Sequence, residues 1–309
     1  MAEGFAAALA AGPLVLDGGL SNQLAAAGHD LADELWSARL LADAPEAITA
    51  AHRAYVGAGA QVVITASYQA SFEGFARRGI GRAGAARLLA SSVALARASG
   101  GPPGRRPGEG APWVAASVGP YGAVLADGSE YRGRYGLTVG ELERFHRPRL
   151  EVLAAAGPDV LALETVPDTL EAEALLRAVR GLGVPAWLSF TVAGGRTRAG
   201  QPLAEAFALA AGVPEVVAVG VNCCAPGEVA DAVRVAAAVT GKPVVAYPNS
   251  GERWGAGGWR GAAEGPARFA GGWLADGARL VGGCCRVGPE QIAELAAVVT
   301  EHRPAQGGR

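Results

Sequence analysis

Short apolar segments recur along the whole chain and end in glycine or polar residues. They are rich in Val, Ile and Leu and do not alternate cleanly with polar residues, which is typical of parallel strands that are buried on both faces. The segments span residues 14–19, 62–68, 113–120, 160–166, 186–192, 216–223, 244–250 and 280–285. This pattern predicts eight parallel β-strands.

Stretches with helical periodicity lie between the predicted strands. The segment "PEAITAAHRAY" places Pro45 and Glu46 in the first turn after Asp43, which favours the start of a helix. The segment "PEQIAELAAVV" places Ile292 and Leu295 on one face at helical spacing. Further helical segments are predicted at residues 81–98, 138–156, 169–181, 201–212, 226–239 and 262–276.

The alternation of strand and helix predicts an α/β fold, a (β/α)8 barrel of the TIM type that residues 1–309 form as a single domain. An open doubly wound sheet is the alternative. It is disfavoured because no Gly-x-Gly-x-x-Gly motif follows the first strand and no P-loop motif is present. A Gly- and Pro-rich segment at 98–112 is predicted to be a flexible surface loop at the N-terminal face of the barrel.

The composition limits the classes of function. The net charge is −2 and the chain has no basic stripe, so we expect no binding to nucleic acid. No apolar run reaches the roughly 18 residues that a membrane span needs, so we expect no membrane association. The apolar start of the chain lacks the basic region of a signal peptide. We therefore expect a cytoplasmic protein.

Polar side chains gather where the predicted strands end. In a (β/α)8 barrel the carboxyl ends of the strands meet at one mouth, where active sites form. The residues concerned are Asp17, Thr65, Ser67, Tyr68, Gln69, Glu164, Thr165, Asn222, Tyr247, Asn249 and Ser250. Glu164 closes an apolar strand, and an unpaired carboxylate would be costly to bury there. We expect it to have a cationic or hydrogen-bonding partner, such as the ammonium group of a substrate.

All four cysteines stand in two doublets, Cys223–Cys224 and Cys284–Cys285, each at the end of a predicted strand. Buried structural thiols, disulfides and a thiolate metal site are the competing explanations. Confinement to strand ends argues against thiols that only fill space, and disulfides are rare in cytosolic proteins. The pattern therefore favours a metal site, and soft thiolates favour zinc. Three ligands would leave an open catalytic position whereas four would close the site, and the position at a barrel mouth favours three.

Several segments resemble the zinc-dependent homocysteine S-methyltransferases, in the order of that family and over about residues 14–300. They read "LDGGLSNQL", "LWSARLL", "ITASYQASFEGF", "ETVPD", "GVNCCAP", "YPNSGE" and "VGGCCRVGPEQI". The combination of the two cysteine motifs is specific, and "LWSA" and "ITASYQAS" are closer to the branch that uses S-methylmethionine than to the betaine-using branch. The resemblance implies the same barrel and an enzyme of methionine biosynthesis.

The resemblance also implies the roles of particular residues. Cys223, Cys284 and Cys285 would be the catalytic ligands of Zn²⁺, with Cys224 left out and the homocysteine sulfur in the fourth position. Glu164 would hold the amino-acid head of homocysteine. The predicted substrate-binding residues are Asp17, Gly18, Glu164, Ser67 and Asn222, and the candidates on the side of the methyl donor are Trp36, Tyr68 and Tyr247.

Alternatives remain open for the substrates and for the class of protein. The donor could be S-methylmethionine, S-adenosylmethionine or betaine, and the acceptor could be homocysteine or selenocysteine. A non-catalytic thiol protein that responds to zinc or to redox state is the alternative of another class. Asp17 and Glu164, placed beside the thiols, argue against that alternative.

Overall fold

Eight parallel strands form a barrel, which confirms the predicted fold class. The computed structural model describes residues 2–31, 35–100, 107, 110–255 and 258–302. The strands are β1 (Leu14–Val15), β2 (Val62–Ile64), β3 (Trp113–Val118), β4 (Val160–Val166), β5 (Ala186–Phe190), β6 (Val216–Asn222), β7 (Val244–Tyr247) and β8 (Ala278–Val281).

The strands follow one another around the barrel in chain order. From β2 to β8, each strand forms a parallel ladder with the next strand in the chain, and β8 pairs in parallel with β1. The last seam, between β1 and β2, is closed by a bridge from Leu16 to Val62. The Gln61 amide also donates to the Val15 carbonyl at 2.8 Å, and the Asp17 amide donates to the Val62 carbonyl at 3.0 Å. The carboxyl ends of all eight strands therefore meet at one mouth.

Helices alternate with the strands, and each predicted helical segment contains one. They are Pro45–Gly57, Arg82–Arg97, Val139–Ala155, Thr169–Ala178, Leu203–Ala211, Val229–Thr240, Ala267–Ala275 and Pro289–Glu301. Shorter helices and 3₁₀ turns occupy Leu20–Ala26, Trp36–Arg39, Leu40–Asp43, Phe72–Arg77, Ala98–Gly100, Tyr121–Leu125, Ser129–Tyr131 and Pro226–Glu228. Within the described residues, no helix combines the length and the apolarity needed to cross a membrane.

Local sequence explains where several of these helices begin. Thr138 and Glu141 form a reciprocal capping box at the start of Val139–Ala155. The side chain of Asp168 accepts a hydrogen bond from the Leu170 amide at 3.0 Å and caps the helix that follows β4. The helices are thus fixed at the end of the barrel that carries the mouth.

A helix that the hydrophobic pattern did not predict, Ala2–Ala11, packs against the inside of the barrel. Its Phe5 and Leu9 are buried in the same apolar cluster as inward-facing strand residues. The Phe5 ring lies 5.4 Å from the Trp113 ring in an edge-to-face arrangement and 6.5 Å from the Trp187 ring, centroid to centroid. The interior of the barrel is therefore filled by side chains from this helix as well as from the strands.

Two antiparallel hairpins stand outside the barrel wall. They pair Val192–Ala193 with Arg196–Thr197 and Arg253–Gly255 with Gly258–Arg260. The predicted loop at 98–112 starts with the 3₁₀ turn Ala98–Gly100, but residues 101–106, 108 and 109 lie outside the described part of the chain. Its predicted flexibility therefore remains a prediction.

Several strands end earlier than the apolar pattern indicates. β2 ends at Ile64, and residues 66–69 form turns, although the apolar segment was predicted as strand up to residue 68. The Thr65 amide still donates to the Ala115 carbonyl at 3.0 Å, but from there on polar side chains satisfy backbone groups that a strand would otherwise pair. The Thr65 hydroxyl, for example, accepts a hydrogen bond from the Ser117 amide at 3.0 Å.

Candidate active site and metal centre

A cavity of about 120 Å³ opens at the carboxyl ends of the strands. It is lined by Gly18, Gly19, Leu20, Ser21, Asn22, Ser37, Ile64, Thr65, Tyr68, Ser117, Tyr131, Glu164, Thr165, Cys223, Tyr247, Cys284 and Cys285. The ends of β2, β3, β4 and β7 and the connections after β1, β2, β3, β6 and β8 contribute to this wall. The sequence prediction that polar strand ends converge on one mouth therefore corresponds to a real cavity.

Three thiols form a tight cluster in this cavity. The sulfur atoms of Cys223, Cys284 and Cys285 all lie within 4.8 Å of one another, and those of Cys223 and Cys285 are 3.9 Å apart. Thiolates that share one zinc at about 2.3 Å in a tetrahedral arrangement have sulfurs roughly 3.8 Å apart, so the cluster fits such an ion. The pKa of Cys285 lies well below its usual value because Cys223 and Cys284 stabilise its thiolate by hydrogen bonds.

The first doublet separates because its two residues have different backbone conformations. Cys223 has φ of 50°, in the left-handed region, and its amide donates to the Tyr247 carbonyl at 3.1 Å. Its sulfur consequently reaches the cavity. Cys224 belongs instead to the hydrophobic layer between the barrel and the helices and is only 1% exposed. Among the described residues, Cys224 is the one cysteine outside the thiol cluster.

The second doublet is held in place by the loop that follows β7. The Cys284 amide donates to the Pro248 carbonyl at 2.6 Å, and the Cys285 amide donates to Oδ1 of Asn249 at 3.1 Å. The Ser250 amide donates to the Cys285 carbonyl at 3.0 Å. These bonds fix both thiols on the same side of the cavity, so this doublet contributes two sulfurs where the first contributes one.

Glu164 is a buried carboxylate in the wall of the cavity. It is 6% exposed, and its Oε1 accepts a hydrogen bond from the hydroxyl of Ser117. Burial raises the pKa of Glu164 to about 8, which the hydrogen bond from Ser117 opposes and the neighbouring Cys223 charge reinforces. The described residues place no Lys or Arg in an ion pair with Glu164. The protein itself therefore supplies a hydroxyl partner and leaves the carboxylate open to a cationic ligand.

Gly18 lines the cavity, whereas Asp17, the residue before it and also a predicted substrate-binding residue, does not. Asp17 is fully buried; its Oδ2 accepts from the Ile64 amide at 2.8 Å, and its Oδ1 lies 3.1 Å from the Tyr247 hydroxyl. The same hydroxyl lies 3.0 Å from the Gly18 carbonyl. A side chain at Gly18 would collide with the ring of Tyr55 and with the Val287 carbonyl, so this position has room only for glycine. Burial raises the pKa of Asp17 well above its usual value.

Ser67 and Asn222, two predicted substrate-binding residues, do not line the cavity. The Asn222 amide group accepts from the Thr165 amide at 2.7 Å and donates to the Thr165 hydroxyl at 2.7 Å, and Ser189 donates to it at 2.8 Å. The Ser67 hydroxyl donates to the Ser117 carbonyl at 2.7 Å. Their polar atoms are committed to the protein, so both residues shape the wall that carries Glu164.

The donor-side candidates have different outcomes. Tyr68 and Tyr247 line the cavity. Trp36 begins the 3₁₀ turn Trp36–Arg39, but its side chain lies outside the described part of the structure. Tyr131 lines the cavity as well, with the guanidinium of Arg198 placed 5.5 Å over its ring.

Sequence reasoning missed several residues of this wall. Tyr131 lies in the long connection after β3, which has no periodic pattern and no motif that we recognised. Ser117 lies within an apolar strand, so its polarity did not mark a strand end. Ser21, Asn22 and Ser37 come from the loops after β1, where the only signal was the resemblance of "LDGGLSNQL" and "LWSARLL" to the family pattern.

The chain thus combines a (β/α)8 barrel with three thiols at its mouth that are placed to hold a metal ion. A family model described as Homocysteine S-methyltransferase matches residues 14–299. Homocysteine S-methyltransferase 4 of Zea mays is 46% identical in an alignment that covers 94% of this chain and 91% of the maize protein. Homocysteine S-methyltransferase of Escherichia coli is 47% identical in an alignment that covers 92% of this chain and 94% of that protein.

Solved structures agree with this relationship. The crystal structure of the homocysteine methyltransferase MmuM from Escherichia coli in its metallated form matches with a TM-score of 0.82 at 45% identity. The match covers 92% of this chain and 96% of that chain. The chain belongs to the homocysteine S-methyltransferase family, and it is a methyltransferase.

Proposed function

We propose that the protein transfers a methyl group from the sulfonium of S-methylmethionine to the sulfur of homocysteine, which yields methionine. The observation that carries this proposal is the cluster of Cys223, Cys284 and Cys285 at a barrel mouth, with Glu164 buried in the same wall. Membership of the homocysteine S-methyltransferase family supports the acceptor. The donor is inferred from "LWSA" and "ITASYQAS", which resemble the S-methylmethionine branch.

The proposed metal is Zn²⁺, held by Cys223, Cys284 and Cys285. An all-thiolate donor set favours zinc over hard cations such as magnesium or calcium, and three protein ligands leave one position for a substrate. Bound zinc would keep the thiol of homocysteine, whose free pKa is about 8.5, in the thiolate form that attacks the methyl group. We also propose a cytoplasmic location, because the thiols of such a site stay reduced there.

Glu164 and the loop after β1 are proposed to hold the amino-acid head of homocysteine. The carboxylate of Glu164 would bind the substrate ammonium group. The positive charge of that group would compensate for the hydration that Glu164 loses on burial and would favour the ionised form of Glu164. The backbone around Gly18 faces the cavity and would contact the same head group. Asp17 acts through Tyr247 and the Ile64 amide, since both of its oxygens already have partners in the protein.

The donor is proposed to enter between the aromatic residues of the mouth. A sulfonium is attracted to the faces of aromatic rings, and Tyr68 and Tyr131 present such rings in the cavity. Methyl transfer needs the donor sulfur, the methyl carbon and the acceptor sulfur in line, so the protein has to hold two substrates in a fixed orientation. The neutral thioether that leaves needs no proton, so the proposal includes no general acid.

The test is a methionine-formation assay on the zinc-loaded protein with homocysteine and each donor in turn. We expect turnover with S-methylmethionine, slower turnover with S-adenosylmethionine and none with betaine. A parallel assay replaces homocysteine with selenocysteine to define the acceptor. Turnover with betaine alone would reject the proposed donor. No turnover with any donor, in protein shown to contain one zinc per chain, would favour a non-catalytic thiol protein.

A further inference from the structure

One carboxylate next to the cavity has no role in the chemistry described so far. Glu130 lies in the 3₁₀ turn Ser129–Tyr131, directly before Tyr131 in the cavity wall. It is only 4% exposed. The turn is rigidly placed, because Arg132 binds the Ser129 hydroxyl at 2.7 Å and because Gly122 packs against the backbone of residues 129 and 130.

Among the described residues, Oε2 of Glu130 is the one carboxylate oxygen that is shielded from solvent and also has no hydrogen-bond donor. By contrast, Asp159 binds Arg97 at 2.6 Å, and Glu171 binds His146 at 2.8 Å and Tyr135 at 3.1 Å. A buried carboxylate oxygen without a partner is costly to maintain. Such an atom next to a substrate cavity indicates that a ligand supplies the missing donor.

Glu130 interacts electrostatically with residues of the cavity wall. Glu130 lies near enough to Cys223, Cys285 and Tyr68 of the cavity wall for direct charge interactions with them. Arg132, its close neighbour in the chain, is paired with Asp127 and Ser129 instead. The part of the chain that the structure describes places no Lys or Arg in an ion pair with Glu130.

The chemistry of the donors tells which cation would fit. S-methylmethionine carries a sulfonium, an α-ammonium and a carboxylate, whereas betaine carries a quaternary ammonium and a carboxylate only. Both therefore have a methylated cation, but only the amino-acid donor has an N–H group that can donate to a carboxylate oxygen. A charge-assisted hydrogen bond to Glu130 would distinguish the two classes of donor.

We propose that Glu130 binds the α-ammonium group of the methyl donor and makes the enzyme selective for sulfonium amino acids over betaine. This inference rests on the proposed function for the identity of the donor. Homocysteine keeps its own carboxylate, Glu164, which lies on a different strand end. On this proposal the two amino-acid substrates are held by two separate carboxylates, Glu130 from the turn after β3 and Glu164 from the end of β4.

The experiment compares Glu130→Gln with the wild type, because glutamine keeps the shape and removes the charge. S-methylmethionine is titrated calorimetrically into the zinc-loaded proteins, and KM values are measured for both substrates. We expect the affinity for S-methylmethionine to fall and its KM to rise at least about 10-fold, as loss of a charged hydrogen bond implies. The KM for homocysteine and the zinc content should stay within about twofold, since neither depends on Glu130.

Asp127→Asn is the matched control. It removes a carboxylate three residues away that is exposed to solvent, and it should change none of these quantities. Glu130→Asp keeps the charge on a shorter side chain and should lie between the wild type and Glu130→Gln.

Equal affinity of Glu130→Gln and the wild type for S-methylmethionine would overturn the inference. Failure of the proposed function has a different signature, because the wild type would then bind or ignore S-methylmethionine without forming methionine. The calorimetric comparison decides the role of Glu130 in that case too: a wild type that does not bind S-methylmethionine overturns the inference, and binding that is lost in Glu130→Gln supports it.

Discussion

The two residues of the first cysteine doublet have different surroundings although they are adjacent in the chain. Cys223 turns into the cavity through a left-handed backbone conformation, and Cys224 is buried in the layer of side chains between the barrel and the helices. Apolar burial raises the pKa of the Cys224 thiol, so it is not a ready metal ligand. The repeated motif therefore encodes three cavity thiols and one core residue.

This difference predicts opposite results for matched substitutions. Cys223→Ala, Cys284→Ala and Cys285→Ala should each lose the zinc and reduce activity by more than the 10–100-fold that outer partners of a metal typically cost. Cys224→Ala should keep about one zinc per chain and most of the activity, with a modest loss of stability from the smaller side chain. Metal content is measured by emission spectroscopy and activity by methionine formation. A Cys224→Ala protein that lacks zinc would contradict the ligand assignment.

At the scale of single residues, the sequence predicts which residue types belong to the site better than it predicts where their side chains point. The polar strand ends and the resemblance to a family were enough to select Glu164 and the cysteines. They could not reveal that the side chain of Asn222 would form its hydrogen bonds with Thr165, because those bonds depend on the register between strand ends. Glu130 was missed because nothing in the sequence of a loop indicates that a carboxylate will be buried.

At the scale of elements, the helix Ala2–Ala11 shows where pattern analysis fails. The strands and outer helices were predicted because each has a recognisable period or a run of branched residues. The segment "AEGFAAALAA" has little contrast between its faces, since alanine suits both a core and a surface. Its position inside the end of the barrel follows from Phe5 and Leu9, which reach the inward-facing cluster.

The packing of Phe5 gives a test of this helix. Phe5→Ala should lower the free energy of unfolding by roughly 3–5 kcal/mol, because it removes a fully buried ring between two tryptophans. Zinc content should be unchanged, since Phe5 packs on Trp113 and Trp187 at the beginnings of β3 and β5, whereas the thiols follow the ends of β6 and β8. Urea unfolding of the zinc-loaded protein measures the loss. Leu125→Ala, at a leucine that is 43% exposed, is the control and should change stability by less than about 1 kcal/mol.

At the scale of the whole molecule, buried titratable groups couple stability to pH. His52 is fully buried in the helix Pro45–Gly57, and neither ring nitrogen has a hydrogen-bond partner among the described residues. Burial lowers the pKa of His52 to about 4. The folded state therefore favours the neutral ring. The contribution of neutral His52 to the free energy of unfolding is fully present above its unfolded pKa of about 6.5. It is lost as the pH falls towards 4.

We expect His52→Leu to remove this part of the pH dependence. When the pH falls from 7.5 to 5, one such histidine lowers the free energy of unfolding by about 2 kcal/mol. The free energy of unfolding of His52→Leu should therefore fall by about 2 kcal/mol less than that of the wild type over this range. Comparison of variants is required because buried carboxylates such as Glu164 titrate in the same range with the opposite sign. Urea unfolding at the two pH values measures the difference, and His302→Gln, at an exposed histidine, serves as control. Identical pH dependence in His52→Leu and the wild type would refute the assignment.

The isolation of Cys224 has a practical consequence. In the metal-loaded protein the other three thiols would be bound to the metal, so Cys224 would be the remaining thiol available to an alkylating reagent. Its shielding by the barrel wall and the helix layer means that a reagent can reach it only when those layers separate. The rate at which Cys224 is alkylated would thus measure how often the barrel wall and the helix layer separate. Mass spectrometry can follow this rate without the introduction of another cysteine.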